Sequence, residues 1–298
     1  MANRAIEWSE QLAAAVEGAG PGVLRLSRHR YPSTATVWDA KAGLVVTTSH
    51  AVAHDDSARL TLPGGQERDA QVVGRDPGTD VALLRTDPAD LASIEFREAD
   101  GLKVGHAALA LGRPGQSVRA SFRIVGVLGV DVRTPWGGKL ERYVETDRGF
   151  PRGFSGGPLI DLEGRALGIN TSALFRGADL TVPTATVRRV VGELLAHGAV
   201  KRGYLGVAVQ RVRLPDGIAA GLGQGQKSGA LVVGVDDSSP AARSGLVLGD
   251  VLVALDGRPI AGPDDLRELL SDRRGVEMDA SIVRVGKVQS IRLSVGES

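Results

Sequence analysis

Short apolar runs separated by turn signals dominate the first two-thirds of the chain. Val23–Leu26, Ala35–Trp38, Leu44–Thr48, Arg59–Leu62, Gln71–Gly74 and Val81–Arg85 are rich in β-branched and aliphatic residues and read as strands. Ala107–Leu111, Phe122–Val132, Arg142–Thr146, Pro158–Asp161, Ala166–Asn170 and Leu180–Val182 continue the series. Pro63-Gly64-Gly65, Asp76-Pro77-Gly78, Arg113-Pro114-Gly115 and Trp136-Gly137-Gly138 supply turns between them. So many short strands without βαβ alternation predict an all-β barrel or sandwich domain.

Helical periodicity flanks this region. Trp8, Leu12, Ala15 and Val16 share one face and predict a helix over 4–17, ended by Gly18 and Gly20. Val187, Val190, Val191, Leu194 and Leu195 predict a second helix, capped at Gly198. Beyond Lys201-Arg202-Gly203 a smaller α+β unit follows. Its strands are Leu205–Val209, Ala230–Val235, Val251–Leu255, Ala280–Val285 and Ser290–Ser294, with short helices near 240–244 and 263–271. The expected domains are therefore 1–200 and 201–298.

Composition narrows the classes. With 42% apolar and 24% charged residues, the chain matches a globular protein and not a disordered or fibrous one. The 36 basic and 35 acidic residues nearly cancel, so nothing calls for nucleic acid or an anionic bilayer. The absence of cysteine excludes disulfides, a thiol nucleophile and thiolate metal sites. No run approaches the ~18 apolar residues of a membrane helix. The longest apolar run of the first twenty residues, Leu12–Val16, is short of a signal-peptide core. A cytoplasmic location is expected from the sequence as written, and an extracytoplasmic one if a leader has been removed.

Candidate chemistry centres on Gly153-Phe154-Ser155-Gly156-Gly157. Glycines around a serine allow a sharp turn, an exposed hydroxyl and backbone N–H groups converging on a developing oxyanion. A serine needs a base, and the base needs an orienting acid. Of the histidines, His50 stands at the mouth of the strand Leu44–Thr48. His54 lies in a polar loop, His29 is flanked by arginines, His106 opens a strand and His197 ends a helix. Asp80 begins the run Val81–Leu84 after a turn, and Asp76 competes with it as the acid. The same serine in a nucleophile elbow would take Asp179 and His197 as partners. That arrangement requires strand–turn–helix, whereas 158–161 reads as a strand.

The order His50, Asp80, Ser155 over a β-rich domain resembles the HtrA (Deg) family of chymotrypsin-like serine proteases. Val45-Val46-Thr47-Thr48-Ser49-His50-Ala51-Val52 is similar to that family's histidine motif, and 74–84 to its aspartate motif. Gly153 to Leu159 and then Leu167-Gly168-Ile169-Asn170-Thr171 resemble its serine motif and cleft strand. Tyr204-Leu205-Gly206-Val207 resembles the carboxylate-binding loop of a PDZ domain, and 239–252 its core motif.

The resemblance implies a mainly β fold: a double β-barrel protease domain followed by a small α+β PDZ domain. It further implies Ser155 as nucleophile, His50 as base and Asp80 as its orienting acid, with the oxyanion hole at Gly153 and Ser155. Thr171, Ser172 and Ala173 would bind substrate, and Tyr204 to Val207 a peptide carboxylate. Polypeptide substrates such as unfolded or damaged proteins, peptide C-termini and a homotrimer are implied, with no cofactor and no metal. Phe154 replaces the family's usual Asn, Pro151-Arg152 its Asn-Pro, and Ser33-Thr34-Ala35 its Gly-Ser-Gly. These departures motivate the alternative of a proteolytically inactive peptide-binding protein.

Overall fold

The structure, a computed structural model, describes residues 2–27, 33–134, 137–175, 177–222, 225–271 and 273–297. His29 and Trp136 lie outside the described residues. The chain divides into two compact units, Met1–Val200 and Lys201–Ser298.

The first unit opens with helix α1 (Ala2–Ala19). Strands β1 (Val23–Ser27), β2 (Ser33–Asp39), β3 (Leu44–Thr48), β4 (Ser57–Thr61), β5 (Glu67–Asp76) and β6 (Val81–Arg85) follow. They close a barrel in the order β1-β2-β3-β6-β5-β4. Strands β7 (Ala107–Gly112), β8 (Arg119–Arg133), β9 (Lys139–Thr146), β10 (Pro158–Ile160), β11 (Ala166–Phe175) and β12 (Ala178–Pro183) close a second, ordered β10-β11-β12-β9-β8-β7. Helix α2 (Thr184–His197) completes the unit.

The continuous apolar runs of β3 and β6 follow from burial on both faces. Val45, Ala82 and Leu84 point into the first barrel's core. Leu44, Val46, Val81 and Leu83 pack on the other side against Ile169, Val182 and the Val187/Val190/Leu194 face of α2. Strand β7 divides likewise. Ala108 and Ala110 join the core of the second barrel with Val125, Val144, Phe154 and Leu159, while Leu109 and Leu111 seat Ala15 and Ala19 of α1. Helix α1 runs through Gly18, past its expected end. Trp8 stays 45% exposed, at the outer edge of the buried stripe, and meets the Phe122 ring edge-on at 5.5 Å. Among the described residues no helix is long and apolar enough to cross a membrane.

The second unit contains β13 (Gly203–Tyr204), β14 (Val207–Arg213), α3 (Asp216–Leu222), β15 (Ser228–Val235) and α4 (Pro240–Arg243). Then come β16 (Val251–Leu255), β17 (Arg258–Pro259), α5 (Pro263–Leu270), β18 (Val276–Arg284) and β19 (Lys287–Glu297). The sheet order is β13-β19-β18-β16-β15-β14, with β17 paired to β16. Helix α3 has no counterpart in the sequence reading, because Gly217 and Gly221 weaken its helical propensity. Tertiary contact supplies what propensity lacks: Ile218, Ala219 and Leu222 pack on Leu214, Val253 and Val283.

Asp250 is 1% exposed and bound bidentately by Arg284, Nε to Oδ1 and Nη2 to Oδ2, each at 2.7 Å. The Val247 N–H donates to the same carboxylate at 2.9 Å, and Arg284 also reaches the Gly245 carbonyl at 2.8 Å. Burial opposes the charge on Asp250, but these hydrogen bonds outweigh it and hold the carboxyl below its ordinary range.

A depressed folded-state pKa stabilises above the unfolded value and loses that contribution as pH falls through the folded one. Asp250→Asn should therefore lower the melting temperature of the second unit at pH 7 far more than at pH 3, read by calorimetry. An equal loss at both pH values would contradict the charge-based account. In the first unit, Phe154→Ala should cost about 3–5 kcal/mol in urea denaturation, as deletion of a buried aromatic ring does.

Candidate active site

Strand register brings His50 and Asp80 together. In the antiparallel β3–β6 pair Thr48 opposes Val81, so the residues just beyond that pair meet at the barrel mouth. The Ser49 N–H continues the ladder onto the Asp80 carbonyl at 3.0 Å. A tight helical turn over Ser49–Val52 then turns His50 towards the Asp80 side chain. Asp80 has φ +56°, a left-handed conformation that Asp tolerates better than most residues.

The Asp80 carboxylate is buried and receives three donors. His50 gives its backbone N–H to Oδ1 at 2.8 Å and its Nδ1–H to Oδ2 at 2.7 Å. The Thr171 hydroxyl donates to Oδ2 at 2.5 Å. Because a carboxylate only accepts, the imidazole proton sits on Nδ1, and Nε2 keeps its lone pair. Asp76 is equally buried but serves its own turn, accepting the Gly78 N–H at 3.0 Å and the Thr79 hydroxyl at 2.7 Å. Of the other histidines, His54 is exposed in a turn and His197 ends α2. The His106 Nδ1 accepts the Lys103 N–H at 3.3 Å. The elbow arrangement fails, because β10 and not a helix follows Ser155. Asp179 instead accepts the Phe150 N–H at 2.5 Å.

Ser155 lies in the loop between β9 and β10. Its Oγ is 3.0 Å from the Ser172 Oγ, and no hydrogen bond joins it to His50 among the described residues. Ser172 follows Thr171 on β11, so one dipeptide touches both the serine and the acid that orients the histidine. Ser172 and Ala173 are exposed where the β11–β12 register breaks between Thr171 and Phe175. Thr171, by contrast, is 1% exposed and spends its hydroxyl on Asp80 and on the Ala173 N–H at 3.1 Å.

Residues 151–154 form a turn closed by the Phe154 N–H on the Pro151 carbonyl at 3.1 Å. Gly153 at its third position has φ +86°, the signature of a type II turn. Among the described residues neither the Gly153 N–H nor the Ser155 N–H donates a hydrogen bond. The carbonyls of Gly153, Ser155 and Gly156, however, are engaged from β2. The Thr34 N–H and the Ser33 hydroxyl reach the Ser155 carbonyl at 3.0 and 2.9 Å. The Thr34 hydroxyl reaches the Gly153 carbonyl at 2.5 Å, and the Thr36 hydroxyl the Gly156 carbonyl at 2.9 Å. Phe154 is not a loop residue in any packing sense: it is 2% exposed, against Gly112 and the second barrel's core. Of the positions that depart from the family pattern, Ser33, Thr34 and Phe154 thus anchor the loop. Their roles were not legible from the sequence, since they arise where the two barrels meet.

In the second unit Leu205 and Gly206 link β13 to β14, an edge strand of its sheet. Leu205 is buried, its carbonyl accepting the Ala241 N–H at 2.9 Å, while the Gly206 carbonyl accepts the Asp236 N–H at 2.9 Å. The N–H groups of Leu205 and Gly206 donate to nothing among the described residues. The Tyr204 hydroxyl donates to Asp236 at 2.6 Å, a bond that together with burial pushes the phenol above its ordinary pKa. Val207 and Val209 of β14 share one apolar cluster with Leu266, Leu269 and Leu270 of α5.

Comparison with known proteins agrees with this architecture. Residues 33–169 match the trypsin-like peptidase domain and 203–295 the PDZ domain. The probable periplasmic serine endoprotease DegP-like of Pseudomonas fulva (strain 12-X) is 35% identical over 266 residues, 86% of this chain and 54% of that protein. Its namesake from Brucella suis biovar 1 (strain 1330) is 33% identical over 263 residues, 85% of this chain and 50% of that one. The chain thus spans about half the length of the curated relatives it matches. Among solved structures, the HtrA-type protease AlgW with tripeptide is 30% identical with a TM-score of 0.66, covering 96% of this chain and 97% of that one. The same protease with decapeptide is 28% identical with a TM-score of 0.70, covering 96% and 98%. The relatives' names correct the cytoplasmic expectation. They are named as probable periplasmic proteins, which points to an extracytoplasmic location; the composition of the first twenty residues was a poor guide to compartment. With both domain models in order and a relative matched over nearly its whole length, the chain belongs to the HtrA (Deg) family, a trypsin-like peptidase domain joined to a PDZ domain.

Proposed function

We propose that the chain is a serine endopeptidase in which Ser155, His50 and Asp80 act as a triad, with a PDZ domain that takes peptide C-termini. The observation that carries this reading is the buried Asp80 carboxylate holding the His50 Nδ1–H, beside two unused N–H donors at Gly153 and Ser155. The Ser155 hydroxyl leaves Ser172 for the His50 Nε2, which takes its proton as Oγ attacks the scissile carbonyl. The oxyanion accepts from the Gly153 and Ser155 N–H groups, while Asp80 stabilises the imidazolium. His50 then protonates the leaving amine, and water repeats the sequence on the acyl-enzyme. A substrate segment would lie in extended form along Ser172 and Ala173, where the ladder is broken. Unfolded or damaged polypeptides present such segments.

The inactive alternative drew on Phe154 and the altered loop. A Phe154 side chain that serves the core, with the loop carbonyls held by Ser33, Thr34 and Thr36, weighs for the active reading. In the second unit, the free N–H groups at Leu205 and Gly206 support carboxylate binding at the head of an open strand edge, the arrangement for peptide addition.

Casein digestion and fluorophosphonate labelling test the first part: Ser155→Ala should lose roughly 10⁴–10⁶-fold in rate. A parent that neither cuts nor labels would count against the peptidase reading. For the second unit, fluorescence anisotropy should show an apolar peptide with a free C-terminus binding roughly 10- to 100-fold tighter than its amide, as expected for charge-assisted hydrogen bonds. Equal binding of acid and amide would refute carboxylate recognition.

A further inference from the structure

Arg113, just beyond β7, carries a charge into the interior. It is 6% exposed and pairs with no carboxylate among the described residues. Its guanidinium donates only to carbonyls: Nε to Val23 at 2.5 Å, Nη1 to Gln116 at 2.7 Å and Nη2 to Gly20 at 3.0 Å. Burial pushes its pKa below the ordinary value. A buried cation without a counter-ion is costly, and the fold keeps it one residue removed from the active-site loop.

The connection runs through Thr34. The Arg113 backbone N–H donates to the Thr34 Oγ1 at 2.9 Å, and that hydroxyl, its lone pair occupied, donates onward to the Gly153 carbonyl at 2.5 Å. The Gly153–Phe154 peptide is planar, and both of its polar ends are pinned: the carbonyl by Thr34, the Phe154 N–H by the Pro151 carbonyl. It separates the two unused donors, Gly153 N–H and Ser155 N–H. Turning this plane would re-aim both. Gly20 and Val23 follow α1 directly, and Val23 shares a cluster with Ala15 and Ala19 of that helix.

We propose that Arg113 and Thr34 are positioning residues: a hydrogen-bond relay from the segment beneath α1 through Arg113 and Thr34 holds the Gly153–Phe154 peptide in the orientation that forms the oxyanion hole. The inference rests on the peptidase reading for its catalytic consequence, but not for its effect on the loop. It makes the seat of α1 a control point for the site.

Two readouts separate these layers, amide hydrogen exchange over 152–157 and turnover of a fluorogenic peptide with fluorophosphonate labelling. Thr34→Val removes the hydroxyl at nearly constant shape. It should speed exchange in that loop and lower kcat and labelling about tenfold, the loss expected for one buried hydrogen bond, with KM within about twofold. Thr34→Ser should restore both. Arg113→Lys should act in the same direction, and the double variant should be no worse than Thr34→Val alone, since both break one relay. Unchanged exchange in Thr34→Val and Arg113→Lys, or effects that multiply in the double variant, would overturn the relay. Faster exchange in a protein that never labels Ser155 would leave the relay standing and remove the peptidase reading.

Discussion

A carboxylate buried to 4% exposure has to be met by donors, and most of the first unit's candidate site follows from how Asp80 is met. The β3–β6 register sets Asp80 opposite Ser49, which brings His50 within reach by both backbone and ring. The remaining donor, Thr171, comes from the other barrel, so the acid also ties β11 to the barrel mouth. One buried carboxylate thereby holds the histidine ring and joins two separately closed sheets.

The serine loop obeys a complementary rule. The carbonyls of Gly153, Ser155 and Gly156 are satisfied by hydroxyls and one N–H from β2, while the N–H groups of Gly153 and Ser155 donate to nothing among the described residues. Unsatisfied donors in a partly buried loop cost stability, and the second barrel offsets this by anchoring the loop through Phe154. The same division recurs in the second unit, where the carbonyls of Leu205 and Gly206 are spoken for and their N–H groups are not. In both places the backbone is held by its acceptors and presents its donors.

Much of the fold was legible because burial on both faces writes continuous apolar runs. The bounds of β3, β6 and β16 match the sequence expectation residue for residue. Helix α3 was hidden because its two glycines argue against a helix that only packing on Leu214, Val253 and Val283 stabilises. Asp76 and Asp80 are both turn acids in sequence, and only the strand register separates the turn-former from the residue that faces His50. Phe154 is read from its neighbours as a loop residue, whereas its ring belongs to a core assembled from strands far along the chain. Thr34 and Thr36 have no motif, since a hydroxyl's partner across two barrels leaves no local pattern.

In the proposed mechanism the Gly153 and Ser155 N–H groups receive the oxyanion while His50, held by Asp80, serves as base. A crystal structure of the protein after reaction with a phosphonate inhibitor tests it most directly. The account predicts a covalent bond from the Ser155 Oγ to phosphorus, with one phosphoryl oxygen within about 3 Å of both the Gly153 and Ser155 nitrogens. Phosphorus on another residue, or a phosphoryl oxygen turned away from those two N–H groups, would contradict it.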